Sequence, residues 1–311
     1  MTEASGHSPN QQKTQPILPR SFLGRLMLPM LEKRRTLAGV MSWIGLGILV
    51  VFTLIAVLAP VLAPYPAQGP YAQFLTPPNQ APSFNHWMGT DNLGQDVFSR
   101  VLWGAQTSLE VMAIGVILAL AVGFPVGLYS GYVGGSIDKA ILLVMDSVYA
   151  FPGLLLAALV AAMLGKGPFN IGIAITVIYI PLYYRVTRNQ TLSVREETYV
   201  EAARSLGARP WTIMWVYIAY NVLITIPVIF ALSAADAILT AAGLSYLGLG
   251  IQLPTPDWGL DLSVAQQFLT DGVWWTSFFP GLMIILLTVG LSFLGEGLND
   301  LINPLLKKGR T

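Results

Sequence analysis

Residues 37–63 read LAGVMSWIGLGILVVFTLIAVLAPVLA and contain no charged side chain. An α-helix needs about 20 predominantly apolar residues to cross the hydrocarbon core of a bilayer, so this run is long enough to span a membrane once. The rest of the chain is similar, because only 11% of the 311 residues are charged and the mean hydropathy is +0.62. Soluble domains carry about 25% charged residues. The composition therefore excludes an ordinary soluble domain and predicts a polytopic membrane protein.

Five further apolar segments predict an all-α fold with six transmembrane helices. Their approximate bounds are 107–130, 140–164, 169–184, 217–247 and 274–295. The segment 169–184 is short and contains Pro181, but six crossings leave fifteen of the seventeen Lys and Arg residues on one side. Positive charge favours the cytoplasmic side. The sequence therefore predicts six spans with both termini in the cytoplasm, the fifth being long enough to tilt or break.

The spans divide the chain into regions with different expected surroundings. These are a cytoplasmic tail (1–36), the first transmembrane helix (37–63), an extracytoplasmic segment (64–106), a five-helix core (107–300) that includes a cytoplasmic loop (185–216), and a cytoplasmic C-terminal tail (301–311). Within the first tail, residues 21–35 mix apolar residues with Lys and Arg. That mixture suits a helix lying in the inner membrane interface, and a simple positive flank is the alternative.

The cytoplasmic loop contains the stretch 197–207, which reads ETYVEAARSLG. Its glutamates lie near the start of a plausible helix, where negative charge favours the helix dipole. Ala202 and Ala203 are strong helix formers without bulk, so a partner surface can approach them closely. Gly207 can adopt the left-handed conformation that ends a helix, and Pro210 fits the first turn of the next one. The stretch predicts a short helix, a sharp turn and a helix that enters the membrane; a solvated hairpin without a partner is the alternative.

The spacing of Glu-Ala-Ala, three residues and Gly in this stretch resembles the EAA loop of ABC importer permeases. Further segments extend the resemblance from about residue 30 to the end of the chain: 58–68, 86–109, 134–157, 183–208, 238–259 and 278–304. In their order and spacing they resemble the C-type permease of the dipeptide, oligopeptide and nickel importer family. The chain departs from the usual family pattern at Gln95, Tyr220 and Ala241, where the family usually has Arg, Pro and often Glu.

The resemblance implies a type I ABC importer-like permease in the bacterial plasma (inner) membrane that imports solute by alternating access. Implied partners are a homologous permease in a heterodimer, two ATP-binding subunits and an extracytoplasmic substrate-binding protein. Di- and oligopeptides are the expected substrates, with nickel or another small solute as the alternative. The implied ATPase-coupling residues are Glu201, Ala202, Ala203, Arg204, Gly207 and Arg209. ATP and Mg²⁺ are expected on the partner ATPases, and no cofactor is expected on this chain.

The motifs of common catalytic sites are missing from the sequence. There is no Cys and no Gly-x-x-x-x-Gly-Lys-Ser/Thr run, so neither thiol chemistry nor a P-loop ATPase is expected. The two histidines, His7 and His86, are far apart in the sequence, and we expect His86 at the surface rather than in a metal site. Energy must therefore come from an ATPase partner or from a gradient, which leaves a gradient-driven transporter and a purely structural membrane subunit as alternatives.

Three acidic residues fall inside the predicted spans, where a charge is costly. Glu110 lies near the outer end of the second span and is expected to reach the interface. Asp146 is expected to pair with an Arg or Lys near the inner face. Asp236 lies deep in the fifth span among small residues, and we expect it to face the translocation path and attract a cationic group. The alternative is a buried hydrogen bond from Asp236 to the partner permease, or protonation of Asp236 through desolvation.

The extracytoplasmic segment ends in a stretch, 86–106, that predicts a helix beginning near Thr90 and Asp91, since both residue types cap helix N-termini. The resemblance implies that this face receives the substrate-binding protein. Asp91, Asp96 and Arg100 are the candidate docking residues. The alternative is an interfacial helix that only packs against the ends of the spans.

Overall fold

The computed structural model describes residues 36–66 and 77–302, and the regular elements within these ranges are helices. They are α1 (Leu37–Leu62), α2 (Val97–Val133), α3 (Gly135–Tyr149), α4 (Gly153–Leu164), α5 (Pro168–Val194), α6 (Thr198–Ser205), α7 (Pro210–Tyr246), α8 (Trp258–Ala265) and α9 (Trp275–Ile302). The all-α prediction is confirmed. The predicted interfacial segment 21–35 and nearly all of both predicted tails lie outside the described residues.

The long helices alternate in direction along the chain. Helices α1 and α9 are antiparallel, because Ser42 lies next to Gly297 and Ile48 next to Gly290, and Leu232 and Gly295 bring α7 and α9 together. Helices α5 and α7 are also antiparallel, because Tyr179 lies next to Asp236 and Tyr183 next to Ser233. Helices α2 and α5 run in the same direction, because Gly115 lies next to Ile175 and Gly131 next to Thr191. One end of the bundle therefore holds Thr36, Gly134 and the segment 195–209. The opposite end holds the segments 63–66, 77–96 and 247–274. This is the grouping of loops that the charge pattern predicts.

The predicted third span, 140–164, is broken rather than straight. Helices α3 and α4 meet at an angle of 88°, with the break at residues 150–152. A proline disfavours the helical conformation of the residue before it, and Pro152 lies at the start of α4. Because α2 ends at one end of the bundle and α5 begins at the other, the bent pair connects the two ends. Together with the five long apolar helices of the described ranges it makes six crossings.

One predicted helix boundary needs correction, and another is confirmed at Pro210. Helix α2 begins at Val97 and not near Thr90, because the Asp96 side chain accepts a hydrogen bond from the Ser99 amide at 2.8 Å and caps the helix. The stretch 97–106 is thus the first part of α2 and not a separate interfacial helix. Helix α7 begins at Pro210 and stays continuous to Tyr246 through a π-helical turn and a 3₁₀ turn.

A row of small residues brings α2 and α5 into close contact. Residues 115, 119, 123, 127 and 131 are Gly, Ala, Gly, Gly and Gly, four residues apart along one face of α2. A Cβ atom on Gly127 would lie 2.5 Å from the Tyr184 carbonyl oxygen, so the two backbones approach closely there. Small residues promote helix association in membranes in this way. The α2–α5 pair is therefore a tightly packed unit against which α4 and α7 lie.

Candidate translocation cavity and coupling helix

The break between α3 and α4 opens a cavity of about 540 Å³ at the side of the bundle. Its walls come from the break itself, through Tyr149, Phe151 and Leu154, and from α5 and α7. Helix α5 contributes apolar and aromatic side chains, and α7 contributes Asp236 and Thr240. The volume lies within the roughly 300–1,000 Å³ of small-molecule sites. The cavity can therefore take up a small solute.

Asp236 lies on the cavity wall and is exposed. The Tyr179 hydroxyl donates a hydrogen bond to Asp236 Oδ2 at 2.5 Å, which fixes one carboxylate oxygen. One helical turn closer to the end of the bundle that holds residues 195–209, the Tyr183 and Ser233 hydroxyls are 2.5 Å apart. They form a second polar contact between α5 and α7. Asp236 therefore faces an open cavity and makes a hydrogen bond within the chain, and its expected role in the translocation path stays a prediction.

Asp146 pairs with a cation, as its position predicts. Arg185 Nη2 lies 2.7 Å from Asp146 Oδ1, and the Arg185 guanidinium lies 4.2 Å from the centre of the Tyr149 ring. Tyr149 also lines the cavity, so a positive group lies close to the cavity wall. Glu110 is exposed on the side of α2.

Helix α6 and the turn after it have the predicted shape. Gly207 has φ +79°, the left-handed conformation. The Ala208 amide donates to the Ala203 carbonyl at 3.1 Å and the Gly207 amide donates to the Arg204 carbonyl at 3.0 Å. These two bonds form a Schellman motif, which ends a helix at a glycine. Arg209 is extended and Pro210 starts α7 directly, so only four residues separate the two helices.

The two alanines of this helix have different surroundings. Val200 is buried in a cluster with residues of the π-helical turn of α7, such as Ile213 and Met214, and Ala203 is only 7% exposed. Ala202 is exposed, as are the remaining coupling candidates: Glu201, Arg204, Gly207 and Arg209. Ala203 is therefore largely covered by the chain itself, and its expected contact with a partner surface stays a prediction.

Two large apolar side chains near the turn are also open to solvent, and the sequence analysis missed them. Leu206 is 88% exposed and Trp211 is 67% exposed. A hydrophobic residue next to the turn glycine and a Trp after the helix-starting proline were the signals that could have identified them. With Ala202, Arg204 and Arg209 they form a mixed apolar and basic surface, which we call the elbow surface, and we call α6 with the turn after it the elbow.

A polar network ties the elbow to the bundle. Arg188 makes two hydrogen bonds of 2.6 Å to the Asp138 carboxylate, joining α5 to α3. Asp138 also accepts a hydrogen bond from Ser130 at the end of α2. Arg195 Nη1 donates to the Gly131 carbonyl at 2.9 Å. The sequence analysis did not identify this network, because its members are far apart in the chain. It connects the segment that leads into α6 with the end of α2 and with the bent pair.

The opposite end of the bundle contains a buried ionic cluster. Arg100 is 6% exposed and contacts Asp261 and the Gln95 side-chain oxygen, while Asp96 is 2.9 Å from His86 Nδ1. Asp96 and Arg100 are thus buried within the chain, and their contact with a docked protein stays a prediction. The prediction that His86 lies at the surface is wrong, because His86 is 5% exposed. These side chains join the segment 77–96 to the start of α2 and to α8.

Burial changes the acidity of two carboxyls in and beside this ionic cluster. It raises the pKa of Asp257 to about 6, although the Leu260 amide and the Ser245 hydroxyl bind the carboxylate. It also raises the pKa of Asp91, against the effect of the nearby Arg100 guanidinium. Among the residues that the structure describes, no group of three or more His, Asp or Glu side chains could hold a metal ion. The chemistry of the cluster is that of ion pairing and helix capping.

Two family models match the chain. Residues 123–308 match the binding-protein-dependent transport system inner membrane component, and residues 34–82 match the N-terminal TM domain of oligopeptide transport permease C. Together they cover the first crossing and most of the other five, including the bent pair and the elbow.

Curated relatives are similar over most of their length. The dipeptide transport system permease protein DppC of Alkalihalophilus pseudofirmus is 40% identical over 266 residues, which is 85% of this chain and 86% of that protein. The glutathione transport system permease protein GsiD of Pectobacterium atrosepticum is 38% identical over 263 residues, again 85% and 86%. GsiD of Escherichia coli is 39% identical over 258 residues, or 83% and 84%.

The helical bundle, the matches to the two family models and the similarity to the curated relatives all indicate the same kind of protein. The apolar helices make the chain a multi-pass protein, and the relatives make its membrane the bacterial inner membrane. The chain belongs to the family of inner membrane components of binding-protein-dependent transport systems, as a C-type permease subunit of the dipeptide and oligopeptide ABC importer group.

Proposed function

We propose that the chain is the permease subunit of an ATP-driven importer of di- and oligopeptides. The observation that carries this proposal is the 38–40% identity, over 85% of the chain, to permeases named for dipeptide and glutathione transport. Both solutes contain peptide bonds and carry an amino and a carboxyl group. Nickel, the alternative from the sequence, has no such support among these relatives.

In this proposal the chain forms half of a translocation path, and a homologous permease forms the other half. Two ATP-binding subunits bind and hydrolyse ATP with Mg²⁺, and this chain binds no cofactor and catalyses no reaction. An extracytoplasmic binding protein delivers the solute to the end of the bundle that holds residues 63–66, 77–96 and 247–274. Asp91 is half-buried there and is the one of the three docking candidates that keeps an exposed part for such a contact.

The elbow surface is the proposed contact with the ATP-binding subunit. It is exposed, it carries Leu206 and Trp211 as apolar anchors, and Arg204 and Arg209 add positive charge. Aromatic and Arg side chains of this kind dominate the binding energy of protein interfaces. Glu201, Ala202 and Gly207 lie on or beside the same surface. The Schellman turn fixes the angle between α6 and α7, so movement of a bound ATPase is transmitted to α7 as movement of a rigid lever.

The polar network provides the route by which this movement reaches the cavity. Displacement of α6 pulls on residues 195–197, which follow directly on α5 and are bound to the end of α2 through Arg195. The Asp138–Arg188 pair transmits the shift to α3 and so to the break that forms the cavity wall. ATP binding would open the cavity towards the binding protein, and hydrolysis would return it to face the cytoplasm.

Asp236 is the proposed contact for the solute within the path. Its carboxylate faces the cavity with one oxygen held by Tyr179, and an anionic group there attracts a cationic group such as a peptide amino terminus. The cavity is otherwise lined mainly by apolar and aromatic side chains, which suits solutes whose side chains differ.

The test is purification of the chain with its partners, followed by uptake into vesicles that contain the complex. We expect ATP-binding subunits in the complex and ATP-dependent accumulation of radiolabelled alanylalanine in the presence of the binding protein. Accumulation that persists without ATP but requires an ion gradient would contradict the proposal. So would ATP-dependent uptake of ⁶³Ni²⁺ without uptake of any di- or tripeptide.

A further inference from the structure

We propose that Asn221 is the positioning residue that holds α6 against α7. Through it α6 and residues 210–222, which we call the lever body, move together about a hinge at residues 223–225. This inference rests on the proposed function and makes its lever more specific, because it says where the lever is fastened and where it bends. It also gives Asn221 a role that neither the sequence analysis nor the relatives assign.

Asn221 fastens the end of α6 that lies away from the turn. Its Nδ2 atom donates one hydrogen bond to the Tyr199 hydroxyl in the first turn of α6, at 2.9 Å, and one to the Tyr217 carbonyl of α7, at 2.8 Å. An amide nitrogen of Asn carries two hydrogens, so both are used. The Schellman motif at Gly207 fastens the other end, and the buried Val200 lies between these two points. Helix α6 is therefore held at both ends and in the middle.

The Tyr217 carbonyl belongs to the π-helical turn of α7, residues 213–218, where the backbone pattern changes. The Ala219 amide donates to the Met214 carbonyl five residues back, whereas an α-helix pairs residues four apart. Such single turns inside α-helices are rare and frequently lie at functional sites. The hydrogen bond from Asn221 adds a side-chain donor to this irregular turn. The same residue thus stabilises the turn and ties it to α6.

A proline explains the position of the hinge. Pro227 has no amide hydrogen, and a proline ring crowds the carbonyl four residues earlier, which is that of Leu223. The Leu223 carbonyl instead accepts from the Ile226 amide, three residues on, and residues 223–225 form a 3₁₀ turn. A 3₁₀ stretch in the middle of a helix often marks a hinge. The chain therefore bends most easily just after the lever body.

The hinge separates the part of α7 that receives force from the part that faces the cavity. The lever body includes α6, whereas residues 226–246 carry Asp236 on the cavity wall. With Asn221 in place, a displacement of α6 moves the whole lever body and bends α7 at the hinge. Without Asn221, α6 can swing about Gly207 alone, and its displacement is lost before it reaches the hinge. Loss of Asn221 should therefore uncouple transport from ATP hydrolysis.

The test is the ratio of peptide taken up to ATP hydrolysed by the complete complex in vesicles, with alanylalanine as the probe and the binding protein present. We expect Asn221→Ala to lower this ratio about tenfold, the scale of losing one to two hydrogen bonds, while assembly and ATP hydrolysis persist. Tyr199→Phe removes only the bond to α6 and should also lower the ratio. Asn221→Gln keeps the amide and should retain part of the coupling.

Asn170→Ala is the matched control for a merely structural effect. Asn170 Nδ2 also donates two hydrogen bonds, to the Leu164 and Gly165 carbonyls at 2.9 and 3.2 Å, but at the end of α5 far from the elbow. This variant should keep the wild-type ratio of uptake to hydrolysis. The inference is wrong if Asn221→Ala also keeps the wild-type ratio, or if the two substitutions lower it equally.

Distances between paired spin labels test the hinge without a transport assay, in a complex whose partner subunits carry no cysteine. Ser205→Cys and Val216→Cys both lie in the lever body, whereas Leu239→Cys lies beyond the hinge, and all three positions are exposed. On ATP binding the 205–216 distance should stay constant and the 205–239 distance should change. Asn221→Ala should broaden the 205–216 distribution.

Two results of this measurement would overturn the inference: a 205–216 distance that changes with ATP in the wild type, or a 205–239 distance that does not. Absence of ATP-dependent alanylalanine uptake by the wild type would instead contradict the proposed substrate, and the two distances would still decide whether the hinge exists. The two failures are therefore distinguishable.

Discussion

At the scale of single residues, Asp257 shows how burial couples this protein to pH. It caps α8 by accepting a hydrogen bond from the Leu260 amide at 2.8 Å, and burial raises its pKa to about 6 from an ordinary 3.8. Between about pH 4 and pH 6 the native state therefore holds this proton while the unfolded state releases it. The contribution of Asp257 to the free energy of unfolding must fall as the pH rises through that window.

Asp257→Asn keeps a capping oxygen and removes the charge. We expect the variant to be more stable than the wild type at pH 7, by up to about 3 kcal/mol at roughly 1.4 kcal/mol per pKa unit. The advantage should vanish at about pH 4. Thermal unfolding of the purified protein, followed by tryptophan fluorescence from pH 4 to pH 7.5, measures the difference. A constant difference between the two proteins across that range would contradict the assignment.

At the scale of helices, the close approach of α2 and α5 depends on small residues. In an exposed helix interior Gly→Ala stabilises by about 1 kcal/mol. At Gly127 the new methyl group would lie 2.5 Å from the Tyr184 carbonyl oxygen, so the clash reverses the sign. We expect Gly127→Ala to destabilise the protein by about 1–3 kcal/mol, the usual cost of overpacking. The lower melting temperature should be measurable in detergent.

Gly47 provides the matched control, because it also lies within a transmembrane helix but a Cβ atom there meets nothing within 4 Å. Gly47→Ala should leave the melting temperature unchanged or raise it slightly. Equal effects of the two substitutions would show that α2 and α5 do not pack as closely as described.

The turn between α6 and α7 depends on the backbone conformation of one residue, Gly207. Gly207 has φ +79°, and a Cβ atom there meets nothing within 4 Å, so only backbone conformation limits substitution. A β-branched residue resists this conformation, whereas Asn tolerates it. We expect Gly207→Val to reduce ATP-driven peptide uptake about tenfold while ATP hydrolysis and membrane insertion persist. Gly207→Asn should retain most uptake, and uptake by Gly207→Val at the wild-type level would contradict the lever.

The sequence predicted individual helices better than their contacts. The crossings were recognisable because each is a long apolar run, and the turn at Gly207 because its signals are local. The break at Pro152 was not predicted. Pro125, Pro181 and Pro280 lie within continuous helices, so the presence of a proline does not by itself show that a helix breaks. Local signals likewise do not reveal burial, which depends on helices distant in the chain.

The candidate site shows the same division. The partner of Asp146 was predictable in kind, because a charge in a membrane needs an opposite one. The identity of that partner, Arg185, required the packing of α3 against α5. The burial of His86 and Arg100 was not predictable from the sequence. The side chains that surround them are brought together only by the packing of α2, α8 and the segment 77–96.

At the scale of the whole molecule, alternating helix directions separate two functions to opposite ends. The buried ionic cluster stiffens one end, and the elbow surface and the Asp138–Arg188 network occupy the other. The cavity lies between them at the break of the third crossing. This division suits the proposed alternating access, in which solute would enter at one end while the ATP-binding subunits apply force at the other.

The orientation of this arrangement is open to a direct measurement, because the chain contains no cysteine. Ser205 lies on the exposed elbow and Gln252 is exposed at the opposite end, so Ser205→Cys and Gln252→Cys mark the two ends against an unreactive wild type. A membrane-impermeant maleimide should label Ser205→Cys only in inside-out vesicles, and assembly with the ATP-binding subunits should protect it. Gln252→Cys should be labelled only in right-side-out vesicles. Labelling of Ser205→Cys from the outside, or unchanged labelling after assembly, would contradict the account.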